Sequence, residues 1–382
     1  MNLIVLSSFA SIQNIDAEWY VNSKNRTYKI NETIATILSK FESPRFLKDV
    51  IDETLLNSEN KVESDLLKKV ENFIDELIKI GVLTLFDQAK LEMPNPVFEI
   101  SKTYNQYRID EYIAVDNKYI QIFKAYNLER KKKVVLKLFA HKINLVSNDP
   151  KINQSFAVFN QEIKISELVS KNKNVCHFHQ KGIHDDYLFF EIDFIAGLTL
   201  SKKIKSKKFL RKDKNHIALQ LLNALAYLHK KNIVHGDIHG KNFMVTPRNK
   251  VFLIDFGFSY DGNKNAEKQF YNKGGVTHYM PPERVNVHSY NFSNAIATKK
   301  SEVYQMGLIL YTLYKGKNPF MKNQETTWRE MANDILTRAF PEKIAVNKSV
   351  DAIIRKALQI QPDNRYASCI EMYIDFLKTV KF

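Results

Sequence analysis

The feature that most constrains this chain is a stretch of three short apolar runs punctuated by Asp, Asn and Asp. Asn232–Val234 is followed by Asp237, Phe243–Val245 is preceded by Asn242, and Val251–Ile254 ends on Asp255 with Phe256 and Gly257 behind it. Brief apolar runs bounded by Asp, Asn and Gly read as strands joined by turns. Such strands bring an Asp, an Asn and an Asp from consecutive edges to one point. Hard oxygen donors of this kind suit magnesium. Each residue alone is equally at home in a turn; the three together, in this order, mark a site for chemistry.

The rest of the chain has to supply a frame for that point. Its 382 residues exceed one ordinary domain, so two or three are expected. A hydrophobic content of 44% and a charged content of 26% suit a chain that mostly folds. Lys plus Arg exceed Asp plus Glu by 57 − 42 = 15, a surplus that favours an acidic partner: nucleic acid, a membrane surface, an acidic peptide or a nucleotide. Lys131–Lys133 is the densest basic run and reads as a solvated turn before a strand. Two cysteines, Cys176 and Cys369, build no disulfide framework and point to a reducing compartment. No stretch approaches the length of an apolar membrane span, and the N-terminus reads as a strand instead of a signal peptide. The expected location is cytoplasmic, with no membrane partner.

Three segments differ in pattern. Residues 1–86 begin with the short runs Leu3–Leu6, Trp19–Val21 and Tyr28–Ile30. Asn31 then caps a helix pattern through Ile34, Ile37, Leu38 and Phe41. Ser43-Pro44 opens a second, with Phe46, Leu47, Val50 and Ile51 on one face. A third carries Leu66, Val70, Phe73, Ile74 and Leu77 and ends at Gly81, before a returning strand Val82–Phe86. This order predicts a small winged-helix-like α/β module. Residues 87–108, with Pro94 and Pro96, read as a linker. Residues 109–382 change from strands (Tyr119–Tyr126, Val134–Phe139, Tyr187–Ile192) around one helix, Phe156–Val169, to helices beginning near Lys214. The fold class expected is α+β: a small β-rich lobe over residues 109–192 and a helical lobe over 197–382.

At this point residues 109–382 resemble the protein kinase superfamily. IVHGDIHGKNFMV is similar to its catalytic loop and IDFG to its magnesium-binding motif. The resemblance implies that Asp237 accepts or orients the substrate hydroxyl proton, and that Asn242 and Asp255 hold Mg2+. Lys137 would grip the phosphates of ATP and pair with Glu162, with Glu167 as the other choice. The stretch around Asp193 and Ile195 would contact adenine. Glu283 and the distant Arg365 resemble the pair that closes the activation segment, and Glu302 stands where the family has an anchoring aspartate.

The departures narrow the likeness. The expected glycine-rich loop reads Val115-Asp116-Asn117-Lys118-Tyr119 and holds no glycine, leaving Asn117 or Lys118 to replace its grip on phosphate. Gly236 replaces the arginine that reads activation-loop phosphorylation. His239 replaces a lysine, as in aminoglycoside-phosphotransferase-type and lanthionine-synthetase-type kinases, and we count it among the catalytic candidates. Val276 stands where a threonine is usual, with Thr277 beside it. Cys176, His177 and His179 are conceivable metal ligands but read more simply as strand residues, because no second ligand pair accompanies them.

The N-terminal pattern, with Tyr28-Lys29-Ile30-Asn31-Glu32-Thr33 and FIDELIKIGVL, resembles the precursor-peptide recognition element of the PQQ-synthesis chaperone family. It implies a kinase that phosphorylates a hydroxyl on a ribosomally made peptide with an acidic leader, bound as an added strand. The mixed charge of the third helix argues against nucleic acid. A nucleotide-sensing pseudokinase scaffold and a small-molecule kinase remain the competing expectations.

Overall fold

The computed structural model describes residues 3–6, 10–15, 18–23, 26–30, 34–35, 38, 45–46, 72–78, 82–85, 95–116, 119–143, 149–206, 211–263, 277–285, 296–320, 328–337 and 347–380. The chain divides into two compact units, one built mainly from Met1–Met93 and the other mainly from the residues after it.

In the first unit, β1 (Leu3–Leu6) lies between β5 (Arg45–Phe46) and β6 (Leu83–Leu85), antiparallel to both. A separate meander joins β2 (Ala10–Ile15), β3 (Glu18–Ser23) and β4 (Arg26–Ile30). Residues 72–78 are helical, and Ile74 and Leu77 are buried as the expected third helix requires. The second expected helix is corrected at its start: Arg45 and Phe46 pair with Ile4 and Leu3 as a strand. A proline suits the start of an edge strand as well as the first turn of a helix, so Ser43-Pro44 did not discriminate. The strand β2 was not expected either. The rest of the expected second helix lies outside the described residues.

In the second unit the strands β7 (Thr103–Tyr104), β8 (Tyr107–Asp116), β9 (Ile120–Asn127), β10 (Lys132–Phe139), β11 (Phe178–His184) and β12 (Tyr187–Asp193) form one antiparallel sheet in the order β11-β12-β10-β9-β8-β7. Alternation along β10 sorts its side chains onto two faces. Val134, Leu136 and Leu138 pack with Phe98, Tyr107, Ile109, Phe123 and Phe189. Phe139 packs on the other face with Phe159 and Ile163 of helix α1 (Pro150–Val169). Each buried phenylalanine contributes roughly 2–3 kcal/mol, so both faces of the sheet are firmly covered. Lys137 shares the helix-side face with Phe139.

Two boundaries shift. The segment read as linker is attached to this sheet from Asn95 on. Phe98 is 2% exposed, Val97 N–H donates to Gln121 Oε1 (2.8 Å), and β7 and β8 begin within the segment. Helix α1 starts six residues earlier than its apolar pattern implied, because Asp149 caps it by accepting from Lys151 N–H (2.8 Å) and Pro150 opens it.

The helical part follows α2 (Leu200–Lys205) with α3 (Arg211–Lys230), α4 (Lys299–Lys315), α5 (Trp328–Thr337), α6 (Lys348–Ala357) and α7 (Cys369–Thr379). Ile217, Leu221, Leu222, Leu225 and Leu228 of α3 are fully buried, and α3 packs on α4 and α7. Helix α4 is closed by a Thr298–Ser301 capping box at one end and by Gly316, φ 81°, at the other. Two small sheets support the loops between: β13 (Leu198–Thr199) with β15 (Phe243–Val245) and β16 (Val251–Leu253), and β14 (Ile233–Val234) with β17 (Tyr260–Asp261). Among the described residues no helix is long and apolar enough to cross a membrane.

Candidate active site

The three polar residues at the ends of the short strands do meet. Ile254 N–H donates to the Asn242 carbonyl (2.9 Å), which ties the end of β16 to the loop before β15. Asp255 adopts φ 66°, a left-handed conformation that Asp tolerates better than most residues, and turns its carboxylate toward Lys137.

Lys137 Nζ lies 2.5 Å from Glu162 Oε1 and 3.0 Å from Asp255 Oδ1. Glu162 follows from helix geometry, because it shares the buried face of α1 with Phe159, Ile163 and Ser166, at i, i+3, i+4 and i+7. Glu167 points to solvent, so Glu162 is the partner. Burial works against the Lys137 ammonium, but the charges of Asp255 and Glu162 outweigh it and hold its pKa above the ordinary value. Burial likewise works against the Asp255 carboxylate, and Lys137 outweighs it, so the Asp255 pKa is lowered.

The catalytic-loop candidates are held from behind. His239 Nδ1 accepts from Lys241 N–H (3.1 Å), which leaves the proton on Nε2 to donate to Asp237 Oδ2 (3.1 Å). Asn242 Nδ2 donates to the same oxygen (3.2 Å) and to the Asp237 carbonyl (2.9 Å). Asp237 Oδ1 is buried and makes no hydrogen bond among the described residues. Gly236 has φ 84°, and a Cβ there would lie 2.3 Å from the Phe258 carbonyl oxygen. The arginine absent from this position therefore has no room at this backbone geometry. Gly236 N–H donates to Glu302 Oε1 (2.8 Å), so the anchoring acid reaches the loop through one more methylene than an aspartate has.

Arg365 grips Glu283 with two nitrogens, at 3.0 and 2.7 Å, and also donates to the carbonyls of Gln359, Ile360 and Lys300. Asp193 ends β12 and accepts from Lys132 Nζ (3.1 Å) and His179 Nε2 (2.8 Å), so its side chain is committed to the sheet. Ile195 is half-buried two residues on. His177 bonds Ser170 Oγ (2.8 Å), and among the described residues no group of three or more His, Cys, Asp and Glu side chains could hold a metal ion. Asn117, Lys118 and Val276 lie outside the described residues. Sequence reasoning missed His229, which bonds Glu302 from the end of α3; a histidine in an amphipathic helix carries no local sign of such a partner.

Comparison with known proteins places the chain in a family. The protein-family model described as protein kinase domain matches residues 118–375. A probable serine/threonine-protein kinase of Clostridium acetobutylicum is 26% identical over 286 residues, covering 72% of this chain and 40% of that protein. Serine/threonine-protein kinase PrkC of Bacillus subtilis is 27% identical over 207 residues, 53% of this chain and 30% of the relative. Serine/threonine-protein kinase PknE of Mycobacterium tuberculosis is 24% identical over 252 residues, 65% and 42% of the two chains. The chain spans less than half the length of these curated relatives.

Proposed function

This chain belongs to the protein kinase domain family, and from that premise we propose that it transfers the γ-phosphoryl group of ATP to a hydroxyl side chain of a peptide or protein. Membership in the family implies ATP and Mg2+. The observation that carries the reading is the asymmetry of Asp237. Oδ2 is occupied by His239 and Asn242, while Oδ1 makes no hydrogen bond among the described residues. A carboxylate oxygen left without a donor is the one with capacity to accept from a substrate hydroxyl.

In the proposed step the acceptor oxygen bonds to the γ-phosphorus and its proton passes to Asp237 Oδ1. The bond from that phosphorus to the bridging oxygen breaks, and ADP leaves with the electron pair. Lys137, held by Glu162, supplies a fixed positive charge for the phosphates. The Asn242 amide nitrogen is committed to Asp237, so its Oδ1 and the Asp255 carboxylate are the oxygen donors left for a cation, and both fit magnesium. The magnesium ion, when bound, would neutralise charge on the phosphate oxygens. The ordered Lys137–Glu162–Asp255 group supports turnover over a nucleotide-sensing scaffold.

The finer substrate is a ribosomally made precursor peptide held by the N-terminal unit. What supports it is the meander β2-β3-β4, whose outer strands each pair on one side only among the described residues, as strand addition requires. Incubation with labelled ATP, Mg2+ and candidate peptides, with Asp237→Asn as the control, tests both parts. Transfer that the variant abolishes supports the kinase reading. Transfer to generic proteins but never to a precursor peptide would remove the finer part alone.

A further inference from the structure

Three elements converge beside Asp237, and apart from that carboxylate their exposed charged side chains are lysines. Ser201 N–H at the start of α2 donates to the Gly240 carbonyl (3.0 Å). A Cβ on Gly240 would lie 2.5 Å from Ser201 Oγ and 3.5 Å from the Tyr279 hydroxyl, so α2, the catalytic loop and the 277–279 turn are in direct apposition. Gly240 stands between His239, which bonds Asp237, and Lys241, which is exposed. Lys205 is four residues beyond Ser201 and therefore on the same face of α2, also exposed. Helix α2 contains Lys202, Lys203 and Lys205 and no acidic residue. The Asn318 amide donates to the His278 carbonyl (2.9 Å) and fixes the turn. Burial first, and then the basic groups around it, His239 when protonated and the Lys241 and Lys205 ammonium groups, push the His278 pKa down to about 4. No carboxylate contributes to that shift, and among the described residues none forms an ion pair with Lys205 or Lys241.

We propose that Lys205 and Lys241 form a cationic surface beside Asp237 that selects acceptor peptides carrying an acidic side chain next to the phosphorylated hydroxyl. This deepens the kinase reading above and rests on it. Both lysine side chains are exposed, on elements that meet at Gly240 beside the loop that carries Asp237. A carboxylate flanking the acceptor meets two cations; a lysine there meets two like charges. The effect is one of complementarity and exclusion together, which is how charge produces specificity.

The test uses the full chain and three peptides with one serine acceptor, flanked by glutamate, alanine or lysine. The expected result is a kcat/KM for the glutamate peptide about five- to tenfold above that for the lysine peptide, the range two exposed pairs can give. The double variant Lys205→Glu/Lys241→Glu, checked for folding by thermal melting, should invert the order. Equal kcat/KM for all three peptides, or a preference the double variant leaves unchanged, would overturn the proposal. Fluorescence anisotropy with the same peptides separates this from the kinase reading. If no peptide is phosphorylated, the kinase reading fails on that ground. Tighter binding of the glutamate peptide, lost in the double variant, still supports the surface, and equal binding of all three overturns it.

Discussion

His229 donates its Nε2–H to Glu302 Oε2 at 2.8 Å with neither side chain exposed to solvent. The backbone N–H of Cys369 donates to His229 Nδ1 (3.0 Å), so the tautomer is fixed and the imidazole is a donor toward Glu302. The other Glu302 oxygen receives Gly236 N–H. The catalytic loop is thus anchored through α4 to the ends of α3 and α7. Glu302→Gln places an amide NH2 against one of two N–H donors. We expect a loss of about 1–3 kcal/mol of stability in urea unfolding, together with a fall in kcat larger than any change in KM for ATP.

Removal of Lys137 leaves Glu162 and Asp255 without their shared cation in a buried site. Lys137→Met should abolish phosphoryl transfer. Burial already raises the Glu162 pKa to about 7 beside Lys137, so Glu162 takes up a proton in the variant and the cost in stability is on the order of 1–3 kcal/mol. Thermal melting with and without ATP and Mg2+ should show a lower Tm and no nucleotide-dependent shift, and incubation with labelled ATP should show no transfer.

Arg365 and Glu283 form a two-toothed pair whose guanidinium side chain is fully shielded. Lysine cannot reproduce two parallel N–H donors or the carbonyl contacts. Arg365→Lys is expected to lower stability by roughly 2–3 kcal/mol and Arg365→Ala by about 3–5 kcal/mol. Urea denaturation that finds either variant within 0.5 kcal/mol of wild type, the ordinary span for surface changes, would overturn this.

Gly236→Ala introduces a Cβ against backbone at a left-handed φ. Both effects are unfavourable, and together cost on the order of 2–3 kcal/mol. Gly316, also left-handed but open around its Cβ position, serves as the comparison: Gly316→Ala should cost only about 1–2 kcal/mol, from backbone conformation alone.

His278 is held neutral, with its pKa lowered to about 4. The unfolded chain takes up that proton near the ordinary value of 6.5, so between these values the unfolded state binds more protons. Stability is then full above pH 6.5 and declines as pH falls toward 4, by on the order of 2–3 kcal/mol. His235, lowered chiefly by burial, adds a decline of the same sign. Unfolding free energies measured between pH 7.5 and 4.5 should show the slope, and His278→Asn should flatten part of it.

The sequence by itself determined the acid–amide–acid constellation and the short strands around it; the roles of Lys137, Glu162, Glu283 and Arg365 came from the resemblance to the protein kinase superfamily. Asp237, Asn242 and Asp255 each sit at the edge of a short element whose type its own residues declare. Glu162 was separable from Glu167 only by the face of α1 that is buried, a property of the whole helix against the sheet. The Ser43-Pro44 signal was compatible with strand or helix, and pairing with β1 decided it. The segment from Asn95 read as linker because Pro94 and Pro96 stand among polar residues; the partners that bury Phe98 come from β8, β9 and β12. His229 is the clearest case of what only tertiary structure decided. Its tautomer and its bond to Glu302 depend on Cys369 and α4, far along the chain, and no local pattern carries a contact between elements that meet only after folding.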